Sequence, residues 1–404
     1  MRPESRRGRG TSVLPLKVLF VINSLEIGGA EMQLAELLRG INREHFHPVV
    51  CCLGSRGPVA DMLQRAAVRV EFIGLPRVRH SHAGDAVDII ARLSRFVRLV
   101  HRERPHIAVG LLYWAYVITT FAASALHVPV IVSTRLSLGL YKEKRPLLRA
   151  IERLANRLTD VIIANAEAVK TDAMRQEGLS PDRIVVIHNG VDVSRFRTDI
   201  DRAARERLGL GGAQPVVGVV ANLLPYKGHR VFLDAWASVV ARHPRAAAIF
   251  VGDGPLRAEL EAMVRASAAP DSIVFLGTRR DVADVLSAVD LVAHPALEEG
   301  SANAILEAMA AGRPVVATAV GGNVEAVTDR ATGLLVPPSD PASLANAICW
   351  LLEHPAEAAA FGRAARHRAA TAYGMDDMIR AYERVFLDAW SRVTDARTMA
   401  SGAA

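Results

Sequence analysis

The sequence predicts an α/β fold of two parallel-sheet domains facing an interdomain cleft. Three observations lead there. Short runs rich in Val and Ile alternate with helical stretches along nearly the whole chain, the β-α-β rhythm of a parallel sheet covered on both faces. That rhythm lapses once, at 194–214, where SRFRTDIDRAARERLGLGGAQ is polar, charged and Gly-rich at its end. The length, 404 residues, is enough for two domains of roughly 100–200 residues each.

Taken in order, the chain opens on MRPESRRGRG, which is basic and has no apolar run behind it. No secretory leader is expected from this pattern, and residues 1–14 are expected to be a disordered basic tail. KVLFVIN (17–23) reads as a strand and Gly28 to Gly40 as the helix after it. Further strands are expected at HPVVCCL, VRVEFIG, HIAVGLL, PVIVST, DVIIAN and RIVVIHN. The stretch from Ile107 to Val132 carries no Asp, Glu, Lys or Arg, and that length can span a bilayer. Gly110, His127 and Pro129 split it instead into a strand (107–112), a buried helix (113–126) and a strand (129–133). After the charged interval, strands return at PVVGVVAN, AAAIFVG, SIVFLG, DLVAHP, PVVATAV and GLLVP. In such sheets ligands bind beyond the carboxyl ends of the strands, and a cleft between two sheets favours a small-molecule site.

Composition narrows the classes. Half the residues are hydrophobic and 23% charged, the balance of a globular protein. The cysteines Cys51, Cys52 and Cys349 show neither zinc spacing nor a disulfide framework, so a reducing cytoplasm is the expected compartment. The net charge of +7 is uneven: residues 1–200 carry 29 Lys+Arg against 19 Asp+Glu, and 201–404 carry 20 against 23. RLSRFVRLVHRER (92–104) and YKEKRPLLRAIERLANRL (141–158) concentrate the excess. They read either as ordinary amphipathic helices or as a face that lies on anionic lipid.

Three segments could carry chemistry. Gly28-Gly29, between the first strand and its helix, lets backbone approach a ligand and leaves helix amides facing outward, suited to phosphate. Asn222 to His229 (NLLPYKGH) places Lys227 after the first strand of the second half, where it can meet a phosphate as a point charge. ALEEGSANAILEAMAAG (296–312) reads as a loop and then a helix from about Ser301. Gly300 and Ser301 would offer orphan amides to an anion. Glu307, about two turns in, could accept two hydrogen bonds from a vicinal diol such as a ribose. The plain alternative makes Glu299 a favourable N-terminal charge and Glu307 a surface residue. Asp199-Ile200-Asp201 is a weak metal candidate. A complete dinucleotide fingerprint, a Walker A motif, an H-E-x-x-H pair and a G-x-S-x-G elbow are all absent from the sequence.

In their order, GGAE (28–31), DVIIANAEAVK (160–170), VIHNGVDVSRF (186–196), KGH (227–229), FLGTRRDV (275–282) and EGSANAILEAMAAGRPVVATAVGGNVE (299–325) resemble the retaining glycosyltransferases of family 4. The resemblance covers about 17–390. It implies the GT-B architecture of two Rossmann-like domains: 15–198 on the acceptor side, joined by a C-terminal helix at 376–394, and 199–375 on the nucleotide-sugar side. It implies transfer of a hexosyl group from a UDP- or GDP-sugar, with no cofactor and no metal. Glu307 would hold the ribose and Glu299 lie by the donor sugar. Gly300, Ser301, Ala302 and Asn303 would hold the diphosphate by their amides, with Lys227 gripping it and Gly28 and Gly29 closing over it. Glu299 and Lys227 are the expected catalytic pair.

Two departures stand out. The family usually has an arginine where this chain has Asn222, so Arg279 or Arg230 would have to add charge. Its histidine after the fourth strand is missing from GLLYWAYV, which leaves Trp114 or Tyr113 nearby and Arg135 as an acceptor contact. The expected partners are a nucleotide-sugar donor, a glycan or lipid-linked acceptor of a bacterial cell surface, and an anionic membrane at the inner face, with no nucleic acid. A GT-B epimerase, a phosphorylase, or a basic nucleic-acid or lipid-binding module with a decayed donor site are the other readings.

Overall fold

The computed structural model describes residues 15–75, 85–139, 145–211 and 215–402. The tail expected at 1–14 and residues 141–144 of the second basic segment lie outside the described residues.

The first half contributes β1 (Leu16–Ile22), α1 (Gly29–Gly40), β2 (Phe46–Cys52), α2 (Pro58–Arg65), β3 (Arg69–Phe72), α3 (Asp85–Glu103) and β4 (Ile107–Gly110). It continues with α4 (Tyr113–Ala125), β5 (Val130–Arg135), α5 (Pro146–Arg157), β6 (Val161–Ala164), α6 (Glu167–Glu177) and β7 (Ile184–Val186). After α7 (Arg202–Arg207) come β8 (Val216–Val220), α8 (His229–Arg242), β9 (Ala247–Val251), α9 (Arg257–Arg265), β10 (Ile273–Gly277), α10 (Val282–Ser287) and β11 (Leu291–His294). The chain ends through α11 (Asn303–Ala310), β12 (Val315–Thr318), α12 (Asn323–Ala326), β13 (Gly333–Val336), α13 (Pro341–Glu353), α14 (Pro355–Ala372) and α15 (Met375–Gly402).

The strands form two all-parallel sheets, ordered β3-β2-β1-β4-β5-β6-β7 and β10-β9-β8-β11-β12-β13. Each order reverses once, between β1 and β4 and between β8 and β11. The crevice at such a reversal is where open α/β sheets bind ligands, and here the two crevices open on one cleft. Central strands are apolar on both faces because helices cover both; Val18 to Ile22 in β1 are all buried. The uncharged stretch after Ile107 resolves into β4, α4 and β5. Among the described residues no helix is long and apolar enough to cross a membrane.

α15 packs on the first sheet rather than the second. Its Ile379, Tyr382, Phe386 and Ala389 join the core made by β1, β2 and α1. Phe386 meets Phe20 and Phe46 edge to face, each with ring centroids 6.0 Å apart. The preceding α14 packs on the second core through Ala365 and Ala369, so the last two helices strap the halves together.

The halves also touch across the cleft floor. A Cβ on Gly300 would sit 2.9 Å from the Leu136 carbonyl oxygen, so only glycine lets the two backbones approach this closely. The Glu325 carboxylate, on α12, accepts hydrogen bonds from the Glu167 and Ala168 amides at 2.9 and 2.7 Å. It thereby caps the first turn of α6 from the other half, where orphan amides need acceptors.

Candidate active site

The cleft encloses about 1030 Å³ and is lined from both halves. From the first come Gly28 and Gly29 at the start of α1, Leu111 and Leu112 after β4, and Leu136 to Leu138 after β5. From the second come Asn222 and Lys227 after β8, His294 at the end of β11, the loop Glu298 to Ala302, and Asn303 and Glu307 on α11. Every one of these follows the carboxyl end of a strand, which is why residues far apart in sequence converge.

Lys227 donates to Glu299 Oε2 at 2.5 Å, and His294 Nε2 lies 2.9 Å from the same oxygen. Glu299 is largely buried. Burial works against its charge, but the His294 hydrogen bond and the Lys227 ammonium outweigh it and hold the carboxyl at about 2. Glu307 has the opposite environment. Burial pushes its carboxyl up to about 7, with the Arg195 guanidinium only partly offsetting that rise. Arg195 itself donates to Glu36 at 2.6 Å. Among the described residues the Glu307 carboxyl takes no side-chain hydrogen bond, and it lines the cleft, where a diol could supply two donors.

α11 begins at Asn303, not Ser301, so Glu307 lies about one turn in rather than two. Ala302 caps the helix in extended backbone, with no side-chain hydrogen bond to its free amides. α1 likewise starts with an extended Gly28 and no side-chain cap. The two N-termini are tied together: Asn303 Nδ2 donates to the Gly29 carbonyl at 3.0 Å. Asn303 Oδ1 in turn accepts from Asn189 at 2.7 Å and Gln33 at 3.2 Å. The α11 N-terminus and Lys227 favour an anion in the space between them, whereas the α1 N-terminus already carries the Glu31 carboxylate in its first turn.

Several expected residues sit elsewhere. Arg135 is buried behind the sheet, donating to Glu177 at 2.8 Å and Asn156 at 2.7 Å, with its guanidinium 4.0 Å over the Tyr116 ring. It is therefore a structural ion pair rather than an acceptor contact. Burial and the neighbouring Glu177 charge push the Glu152 carboxyl up. Trp114 is 42% exposed and stacks edge-on against Tyr113, outside the cleft lining. Arg230 pairs with Glu259 on the surface, whereas Arg279 does line the cleft, with its guanidinium held by Asp281 at 2.5 Å. Asp201 caps α7 by accepting the Ala204 amide at 3.1 Å.

Sequence reasoning missed His294, the Asn303 carboxamide, Gln33, Asn189 and Glu325. Only His294 left a signal, as a polar residue at the carboxyl end of an apolar strand just ahead of Glu299.

Two facing parallel-sheet domains with an anion-directed cleft at both reversal points define the GT-B class. HepE from Anabaena, solved with UDP-glucose, superposes with a TM-score of 0.82 at 26% identity over 92% of this chain and 100% of that one. The lipopolysaccharide glycosyltransferase WaaG shares the fold at 20% identity, with a TM-score of 0.71 over 90% of this chain and 98% of that one. Residues 27–195 match the model of Glycosyltransferase Family 4, and 214–354 that of Glycosyl transferases group 1. The chain is 30% identical over 369 residues to the 2-deoxystreptamine glucosyltransferase of Streptomyces kanamyceticus, covering 80% of this chain and 95% of that one. It is 34% identical over 222 residues to D-inositol 3-phosphate glycosyltransferase 2 of Catenulispora acidiphila, spanning about half of each chain. The chain belongs to glycosyltransferase family 4 and is a glycosyltransferase.

Proposed function

We propose that the chain transfers a hexosyl group from a UDP-sugar to an acceptor hydroxyl with retention at the anomeric carbon. The observation that carries this is the meeting of Lys227, Glu299, Glu307 and the N-termini of α1 and α11 in one cleft. Uridine is favoured over guanosine by the UDP and UDP-glucose complexes of HepE.

In this reading residues 199–375 bind the donor, and 15–198 with 376–394 bind the acceptor. The Glu307 carboxylate accepts both ribose hydroxyls. The amides of Gly300 to Asn303 and of Gly28 and Gly29 hold the diphosphate, and Lys227 supplies its positive charge. Asn222 and Arg279 stand at the rim. Breaking the bond from anomeric carbon to phosphate moves an electron pair onto the diphosphate, and these fixed donors stabilise it. The acceptor oxygen attacks from the same face and its proton passes to the leaving phosphate, so no dedicated base is needed. The cationic and amide donors carry the charge without a metal.

The acceptor reading is a glycan or lipid-linked sugar of the bacterial surface, met at an anionic membrane on the cytoplasmic side. It is supported by exposed Ile90 and Val97 on α3 and Leu147 and Leu154 on α5, interspersed with Arg95, Arg98, Arg153 and Arg157. A second reading, a small cyclitol acceptor, is favoured by the relative named for 2-deoxystreptamine.

The test is proton NMR of the product from UDP-sugars and a panel of cyclitol and glycan acceptors, with and without EDTA. A product with the donor's anomeric configuration, formed equally in EDTA, is expected. An inverted product, or activity lost to EDTA and restored by a divalent ion, overturns it.

A further inference from the structure

We infer that His294 is a positioning residue for the transfer, holding Glu299 in place when Lys227 is drawn to the diphosphate. This rests on the donor-site reading above, in which Glu299 lies beside the transferred sugar.

The geometry sets a conflict that His294 resolves. Lys227 and His294 both bind Oε2 of Glu299. Oε1 takes no hydrogen bond among the described residues and is not among the buried polar atoms left without partners, so it opens on the cleft. One carboxylate oxygen is thus pinned and the other is offered to a ligand hydroxyl. Lys227, however, is also the ammonium nearest the place for the diphosphate. Its compact charge sits on a flexible stem, on the short turn Pro225–Lys227 between β8 and α8. Donor binding draws that charge toward two phosphates. Without His294 the buried carboxylate would then lose both partners of Oε2, pay the cost of an unpaired buried charge, and rotate or take up a proton.

His294 prevents that loss because it cannot follow the lysine. It is the last residue of β11, with its side chain 3% exposed. The Thr318 hydroxyl donates to its carbonyl at 3.4 Å, and β12 pairs with its strand. An Nε2–H fixed on a central strand therefore donates to Oε2 whether or not the donor is bound. That leaves Oε1 aimed for a sugar hydroxyl and leaves Lys227 free to move.

The test compares His294→Leu, which removes the donor at similar volume, with His294→Gln, which returns an N–H. Binding of UDP and of UDP-glucose is measured by calorimetry, with the rate of UDP-glucose hydrolysis and the melting temperature alongside. Both ligands draw Lys227 off Glu299 but only UDP-glucose has a sugar for Glu299 to touch, so His294→Leu is expected to bind UDP about threefold more weakly and UDP-glucose at least about thirtyfold more weakly. Hydrolysis should slow by at least about tenfold, and His294→Gln should recover most of both losses. Unchanged UDP-glucose binding and hydrolysis in His294→Leu overturns the inference. So does an equal loss for UDP and UDP-glucose that glutamine does not rescue. A wild type that binds neither UDP nor UDP-glucose overturns the donor-site reading itself, which the variants do not address.

Discussion

Glu299 and Glu307 share one short segment yet hold their protons at opposite ends of the carboxylate range. The cause is partners: Glu299 has an ammonium and an imidazole on one oxygen, whereas Glu307 has burial and little else. Raising a carboxyl from its ordinary value of 4.5 to about 7 penalises the folded state as pH climbs through that interval. Glu307→Gln removes the ionised form and so should raise the melting temperature at pH 8 by on the order of 2–4 °C. At pH 4.5, where Glu307 is already neutral, the two proteins should melt together; thermal denaturation at both pH values checks the sign. Arg135 carries the reverse lesson. Arg135→Ala removes a buried guanidinium that Glu177 and Asn156 bind, so chemical denaturation should show a loss of about 3–5 kcal/mol. A strand in a parallel sheet is buried on both faces, so sequence could not say whether the charged residue ending β5 turned to the cleft or to the helices behind it. Glu299, Glu307, Lys227 and Gly28-Gly29 were legible because their motifs recur in a fixed order around strand ends.

At the scale of elements, the strands were readable almost throughout, since runs such as VVGVV and IVFLG are short, β-branched and bounded by turn residues. The start of α11 was not: Gly300 to Ala302 continue a plausible helical pattern but stay outside the helix, on the cleft lining. α15 is where amphipathic pattern becomes interdomain mechanics. Its apolar face closes the core of the first half although the helix follows directly on the second. Phe386→Ala is expected to cost about 3–5 kcal/mol through the cavity it leaves against Phe20 and Phe46. Urea unfolding followed by tryptophan fluorescence checks this, because Trp390 on the same helix packs on His106 at 5.0 Å between ring centroids.

For the whole molecule, the contacts that set the relation of the two halves join residues more than 100 positions apart. Asn303 reaches Gly29, Gln33 and Asn189, and Glu325 reaches the amides that start α6. No local period or motif encodes such pairings, so this layer was invisible in the sequence even where each residue lay inside a quoted motif. The same contacts bridge the two halves directly across the cleft. Asn303→Ala should therefore open the nucleotide-free protein, seen as a larger radius of gyration in X-ray scattering. UDP should return it toward the wild-type value, because the diphosphate can bridge the same two N-termini.

The central claim is that this cleft holds a nucleotide sugar through Glu307 and Lys227. Titration calorimetry of UDP and UDP-glucose into wild type, Glu307→Ala and Lys227→Ala tests it most directly. Wild type should bind both measurably, and each variant should lose at least about tenfold, or ~1.4 kcal/mol, with the fold intact. Wild-type affinity retained in both variants, with normal melting, would contradict it.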